Sequence, residues 1–412
     1  MIVKRMLRTA GCCLAGLGAS LGLMAGTHSA SADVVTGISN LSQANRLSIF
    51  HDYSINAVGL TSGSGVPGSA GGGMMTSILG SWASTDPTGS GRSYDISATP
   101  LFGYDSNPEA RRVGQGSIFG GTDIAAQYRI NVGPDDPTVG SPNQFRFSYD
   151  ATGTVYDGTV LNADTFQQTF AASYRRSLLH DMVFVGVGFQ NQFTTEYGNA
   201  FLDTVDVSPS VEWFMLPQAS AEVNYDYTLM GYFIHPVTKR DPNADRNTVN
   251  AKFHFYPTPQ LRGEIPEAED VLGDILRQSL QRATIGYSAV FNEATGTDYN
   301  YEANRLSIGI EGLHCPRMPD LTLDATYSHE WDNYMGPSVE GPNIIAGKPR
   351  QIRRKDHLDV FTLRTNARLF DLPKDRGTLS TFVQWDIIAD RSNLEARHFN
   401  EFVISGGISY RY

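Results

Sequence analysis

Apolar and polar residues alternate with period two along most of this chain, in segments of about ten residues, which is the mark of half-buried β-strands. Near the C-terminus, Phe402, Ile404, Gly406, Ile408, Tyr410 and Tyr412 share one face, and Val403, Ser405, Gly407, Ser409 and Arg411 share the other. Leu321, Leu323, Ala325, Tyr327 and Trp331 alternate in the same way with Thr322, Asp324, Thr326, Ser328, Glu330 and Asp332. Leu306, Ile308 and Ile310 alternate with Arg305, Ser307 and Glu311. The pattern predicts fourteen strands, at 92–104, 116–132, 143–157, 163–178, 182–195, 202–216, 219–233, 246–257, 280–293, 302–314, 320–334, 358–370, 378–390 and 400–412.

The connections alternate too. One set is short and turn-rich: Leu178–Asp181, Leu216–Gln218, Cys315–Pro319 and Leu372–Gly377. The other is longer and polar: Tyr104–Gly116, Pro236–Arg246, Asn292–Glu302, Met335–His357 and Asp390–Asn400. Short periplasmic turns and long external loops are expected of a transmembrane barrel, and an even strand number puts both ends of the barrel in the periplasm. Aromatic residues near strand ends (Trp213, Trp331, Trp385, Tyr104, Tyr232 and Tyr334) read as interfacial girdles. Charges avoid the apolar face, where one would cost about 2–4 kcal/mol at the bilayer midplane. The expected fold is therefore an all-β, antiparallel transmembrane barrel.

Two stretches depart from the pattern. Pro266 opens a run with acids after it, apolar residues at 271, 272, 275 and 276, and Arg277 at its end, which predicts one short periplasmic helix. Packing against the barrel rim is one role for residues 266–278; docking a periplasmic partner or plugging the pore is another. Residues 61–91 are Gly/Ser-rich and read as linker, yet Leu47, Ile49, Tyr53 and Ile55 alternate. The segment 33–91 is thus a periplasmic arm, a plug, or two further strands that would make sixteen.

The first thirty-two residues carry Lys4, Arg5 and Arg8, then an apolar stretch, then Ala30-Ser31-Ala32. This predicts a signal peptide cleaved after Ala32 and export to the bacterial outer membrane. A lipoprotein signal at Cys12 is rejected, because no apolar region precedes it. Removing three cations changes Lys+Arg from 32 to 29 against 43 acids, a net of 29 − 43 = −14. That acidity argues against nucleic acid as a partner. Cys315 alone remains, so neither a disulfide framework nor a thiolate metal site is expected. No segment after the signal is long and apolar enough for a transmembrane helix.

If the apolar face meets lipid, the alternate residues face the lumen. The candidate pore-lining cations are Arg129, Arg146, Arg175, Lys252, Arg282, Arg305, Arg364 and Arg368. The candidate acids are Asp95, Asp150, Asp206, Glu212, Glu222, Asp226, Glu311, Asp324, Glu330, Asp332 and Asp386. Segregated charges would set a transverse field across a pore; ion pairs bracing a closed barrel would use the same residues. The stretch Met335–His357 carries Lys348, Arg350, Arg353, Arg354 and Lys355, which as an external loop would contact lipopolysaccharide phosphates or fold inward. No hydrolase, zinc-protease or nucleotide-binding motif is present. His329, near Trp331 and Asp332, is the best candidate general base. Asp241, Asn243 and Asp245 have the spacing that opens a calcium loop, but Arg246 replaces the turn glycine and Lys252 the bidentate acid. No cofactor or metal is expected.

Ala98-Thr99-Pro100-Leu101-Phe102-Gly103-Tyr104-Asp105-Ser106-Asn107-Pro108, His329-Glu330-Trp331-Asp332-Asn333-Tyr334 and the aromatic C-terminus carry a family resemblance. Over residues 92–412 the chain resembles the outer-membrane β-barrel porin families of proteobacteria, including the barrels of export proteins. The resemblance implies passive or export-type transport of small polar solutes or polymers, and recognition of the terminal strand by the barrel assembly machinery. Tyr412 stands where those families commonly end in Phe. A filled structural or adhesion barrel, and a soluble secreted β-protein, are the competing readings.

Overall fold

The computed structural model describes residues 92–107, 115–132, 143–157, 164–179, 182–196, 199–216, 218–233, 243–257, 280–296, 299–315, 318–345, 348–372, 377–393 and 398–411. The expected signal peptide, the segment 33–91 and the helix at 266–277 lie outside the described residues.

Fourteen strands follow in chain order: β1 (Arg92–Asp105), β2 (Ser117–Val132), β3 (Asn143–Tyr156), β4 (Thr165–Leu178), β5 (Val183–Glu196), β6 (Asn199–Leu216), β7 (Ala219–Tyr232), β8 (Ala244–Phe255), β9 (Arg282–Ala294), β10 (Tyr301–Cys315), β11 (Met318–Ile345), β12 (Lys348–Asp371), β13 (Thr378–Ser392) and β14 (Phe399–Arg411). Each pairs antiparallel with its chain neighbours, and β1 pairs with β14 to close the barrel. In that seam Leu101 stands opposite Gly407 and Phe102 opposite Gly406. Closure leaves no free edge in the barrel wall itself, so the wall has fourteen strands rather than sixteen. Pro100, which has no N–H to give, lies where the β1–β14 ladder skips from Ala98 to Leu101.

The β4–β5, β6–β7, β10–β11 and β12–β13 turns lie at one end, together with the start of β1 and the end of β14. The β4–β5 turn passes through Leu179 at φ 49°, with Met182 N donating to Leu179 O at 3.3 Å. Leu372 N donates to Gly377 O at 2.8 Å across the β12–β13 turn, and Gly377 takes φ 108°. That left-handed backbone is what glycine tolerates and other residues rarely do.

The largest difference from expectation is at 335–357. This stretch is not a loop: β11 runs on to Ile345 and β12 starts at Lys348, so the hairpin continues past the other strands. Register slips between Asn333 and Pro337 and between Ser338 and Asn343 absorb its irregular composition. Mutual backbone pairing overrides the low strand propensity of its Gly and Pro residues.

Side chains sort by parity. Outside, Ile285 (61% exposed) pairs across strands with Ile308 (54%), and Ile96, Ile124, Phe147, Phe170, Phe189, Val223, Val249 and Phe253 are exposed on other strands. An apolar surface that recurs on strand after strand is larger than water-exposed monomers carry, and it suits hydrocarbon. The aromatic girdle is thinner than expected. Tyr104 and Trp213 stand outside near strand ends, and Trp331 shares the outward parity. Trp385 lies outside but mid-strand, and Tyr232 and Tyr334 fall on the inward parity. The same alternation that puts Glu222 and Asp226 inside puts Tyr232 there.

Placing Arg at Ile308 should lower unfolding free energy in lipid vesicles by about 2–4 kcal/mol, the cost of a cation near the bilayer midplane. Denaturant titration of the refolded barrel measures it; a change within about 0.5 kcal/mol would mean that this face is in water.

Candidate functional site: the inner wall of the barrel

The inner face is polar over most of its height. Cations are drawn into pairs with acids on the same or nearby strands. Arg175 on β4 reaches across β5 to Glu212 on β6, with Nη2 to Oε2 at 3.0 Å. It passes over Gly186, its direct cross-strand neighbour, and its guanidinium lies 3.7 Å from the centre of the Phe184 ring. A Cβ on Gly186 would sit 2.9 Å from Ser210 Oγ, so the missing side chain leaves room for this crossing. Glu212 is also held by Ser220 Oγ at 2.7 Å and the Tyr256 hydroxyl at 3.4 Å, and Phe184, Phe214 and Tyr256 pack beside it.

Arg282 on β9 reaches both carboxylate oxygens of Glu311 on β10 through Nη2, at 2.7 and 2.9 Å. Arg305 on β10 pairs with Glu330 on β11. On β12, Arg354 pairs with Asp356, and its guanidinium lies 4.3 Å from the centre of the Tyr334 ring. His254 on β8 bonds Glu222 on β7 through Nε2 at 3.0 Å and Thr284 through Nδ1 at 2.9 Å. Arg364 faces Asp324 across the β11–β12 ladder, lies 4.2 Å from the Phe382 ring centre, and donates to Asn366, which donates to Asp324. Gly312, at φ 59°, forms the bulge that turns its N–H toward Asp324 at 2.7 Å. Charge-assisted bonds of this kind are shorter and stronger than neutral ones.

Two pairs of acids make no ion pair within 4.0 Å among the described residues, with Arg364 and Lys252 the cations that act on them from further off. On β2 and β3, Thr152 Oγ1 lies 2.7 Å from Asp123 and 3.4 Å from Asp150. On β6 and β7, Ser208 Oγ bonds Asp226 and lies 3.5 Å from Asp206. A hydroxyl has one proton, so each pair of carboxylates shares a single donor there. Asn224 and Asn250 add amide donors to Asp226, and Thr228 adds a hydroxyl donor to Asp206. Lys252 stands across the ladder from Glu222, with its enclosed Nζ making no hydrogen bond.

Of the residues singled out from sequence, Arg146, Arg175, Glu212, Glu222, Asp226, Lys252, Arg305, Glu311, Asp324, Glu330, Asp332, Arg364 and Asp386 occupy the inward parity. Asp386 accepts from Thr362 at 2.7 Å and Gln384 at 2.9 Å. Arg129 lies on β2, its side chain outside the described residues. Arg368 differs: it is at the short-turn rim, its side chain 53% exposed, paired with Asp371. A register shift between Arg368 and Phe370 ends the alternation there.

Sequence reasoning passed over Asp123, His254, Asp390 and Glu401, all buried on the inner face. Their parity within the predicted strands carried the signal. Arg246, Arg354 and Asp356 were assigned to loops or loop edges, and the longer strands bring them inside. The inner wall also carries apolar clusters, around Leu202, Met230 and Tyr232 and around Leu358, Val360 and Ile388, which the expected lipid-only role of apolar residues did not foresee.

His329 points outward. Its Nδ1 lies 2.7 Å from Asp359 Oδ1, which also accepts from the Tyr327 hydroxyl at 2.7 Å, and its ring packs edge-on to Trp331. In the would-be calcium loop, Asp241 lies outside the described residues, and Asn243 Oδ1 is taken by the backbone N–H of Tyr232. No group of metal-ligating side chains occurs among the described residues.

The Arg282 and Glu311 side chains are 5% and 2% exposed. Glu311→Gln should cost about 3–5 kcal/mol of stability, because it strands a desolvated guanidinium. Denaturant unfolding checks it; a loss under about 1 kcal/mol would mean that the pair behaves as a hydrated one.

No family model and no curated protein matches the sequence. Among solved structures, the outer membrane channel DcaP of Acinetobacter baumannii is 7% identical with a TM-score of 0.40, over 80% of this chain and 99% of that one. An anion-selective porin from Comamonas acidovorans is 8% identical with a TM-score of 0.38, over 78% and 99%. The outer membrane protein OprD from Pseudomonas aeruginosa is 8% identical with a TM-score of 0.36, over 78% and 93%. Likenesses this distant carry no weight on function, and the barrel rests on its own strand pairing.

Proposed function

We propose that this chain is a porin-like channel of the bacterial outer membrane that passes small polar solutes and favours cations. The apolar outer face supports the membrane placement. One observation supports the channel: the inner wall holds the carboxylate pairs Asp123/Asp150 and Asp206/Asp226 without a cation paired to either. Like charges buried together in a dry interior are costly, and lumen water and passing cations relieve that cost. Lipid and lipopolysaccharide surround the barrel in this reading.

A second reading has its own observation. The ion pairs Arg175–Glu212, Arg282–Glu311, Arg305–Glu330 and Arg354–Asp356 neutralise four of the wall cations locally. They weaken any transverse field and suit a braced, closed interior.

Purified protein in planar bilayers separates the two. The channel predicts ohmic steps and a reversal potential of cation-selective sign in a salt gradient. Asp206→Asn with Asp226→Asn should lower that selectivity, more at 0.1 M than at 1 M salt, since the screening length falls from about 10 Å to about 3 Å. A silent bilayer favours the braced barrel.

A further inference from the structure

The outer face of β11–β13, at the end away from the short turns, changes character row by row. Ile308, Tyr327, Phe361, Ile387 and Phe402 form an apolar row across β10–β14. Above it, His329 pairs with Asp359 across the ladder, and the charge of Asp359 is engaged by His329 and Tyr327. In the next row Trp331, His357 and Arg391 stand side by side. Lys355 and then Arg353 follow outward along β12, both exposed.

The backbone under these cations is held. Asn393 accepts from Lys355 N at 2.8 Å, donates its own N–H to Lys355 O at 3.0 Å, and donates its amide to Arg353 O at 2.8 Å. The Arg353 and Lys355 side chains have no acidic partner among the described residues. Arg391 is 61% exposed and only 4.0 Å from Asp359, at the limit of an ion pair. The chain thus alternates by parity: Arg354 turns inward to Asp356, while its two neighbours turn out. Elsewhere at this end the outward parity of β6, β8, β9 and β10 carries Asp203, Asp245, Glu293 and Glu302, so the cationic patch is confined to β12 and β13.

We infer that this patch binds the phosphate of an anionic lipid head group, with Lys355 and Arg391 as the principal contacts and Trp331 and His357 packed beneath. Height points to a lipid: exposed cations begin where the hydrocarbon-facing rows stop, which is where head-group phosphates lie. Aromatic and cationic side chains together favour that level. The inference rests on the membrane placement proposed above, not on an open pore.

The test uses full-length protein in neutral detergent micelles, with a bisphosphorylated glycolipid, its dephosphorylated form and inorganic phosphate as probes. The phosphorylated lipid should stay bound through gel filtration. The dephosphorylated lipid should bind at least about tenfold more weakly, since each cation attracted to a phosphate at the membrane surface strengthens binding about fivefold. Lys355→Gln with Arg391→Gln should weaken retention by about the same factor, Lys355→Arg should keep it, and Asp245→Asn with Glu293→Gln should not reduce it. Heat-dependent gel mobility, read on every variant, confirms that the barrel is folded. Equal retention by the double Gln variant, or by the dephosphorylated lipid, would overturn the inference. Displacement of the lipid by millimolar inorganic phosphate would overturn the lipid as the ligand. Protein that stays monodisperse without detergent would instead overturn the membrane placement.

Discussion

Closure of the β-ladder is the constraint on which the rest depends. Strands of a membrane wall have no water to satisfy their backbone, and each unpaired N–H or C=O in hydrocarbon costs several kcal/mol. The pairing of β1 with β14 removes the last edge. Once the ladder is closed, side-chain parity has a fixed meaning: one set faces out and the other in. The chain then has to be apolar at every second position and is free to be polar at the rest.

That freedom is used for charge. Charged groups concentrated inside a narrow wall need partners, and the register supplies them between neighbouring strands, as with Arg282 and Glu311 or Arg305 and Glu330. Where a partner is two strands away, the intervening strand gives space, as β5 does with Gly186 beneath Arg175. Four of the acids without an ion pair are grouped around two hydroxyls, those of Thr152 and Ser208. These groups are where the inner wall is least self-sufficient, and solvent or ions would act there.

Strand positions were legible in the sequence because period-two alternation is dense and turn residues punctuate it. Thirteen of the fourteen pairings join consecutive strands, so order followed once the strands were found. The β11–β12 extension was not legible: Gly336, Pro337, Gly341 and Pro342 break the pattern locally, and only mutual pairing makes strands of them. Parity placed most of the inner charges but not Arg368, since a bulge cannot be read from alternation. Nor could alternation tell which charges pair, because Arg175 skips a strand to reach Glu212. The basic run in this hairpin read as one patch, yet strand geometry divides Arg354 from Arg353 and Lys355.

Strict alternation along each strand calls for a wall with lipid on one side and a polar lumen on the other. Single cysteines along β9, in a Cys315→Ser background, measure this most directly. Spin labels at Ile285, Tyr287 and Phe291 should be relaxed by oxygen, and those at Thr284, Gly286 and Ser288 by a water-soluble nickel complex, in strict alternation. Access of the nickel complex to both sets alike would contradict the membrane wall, and its exclusion from both would contradict the hydrated lumen.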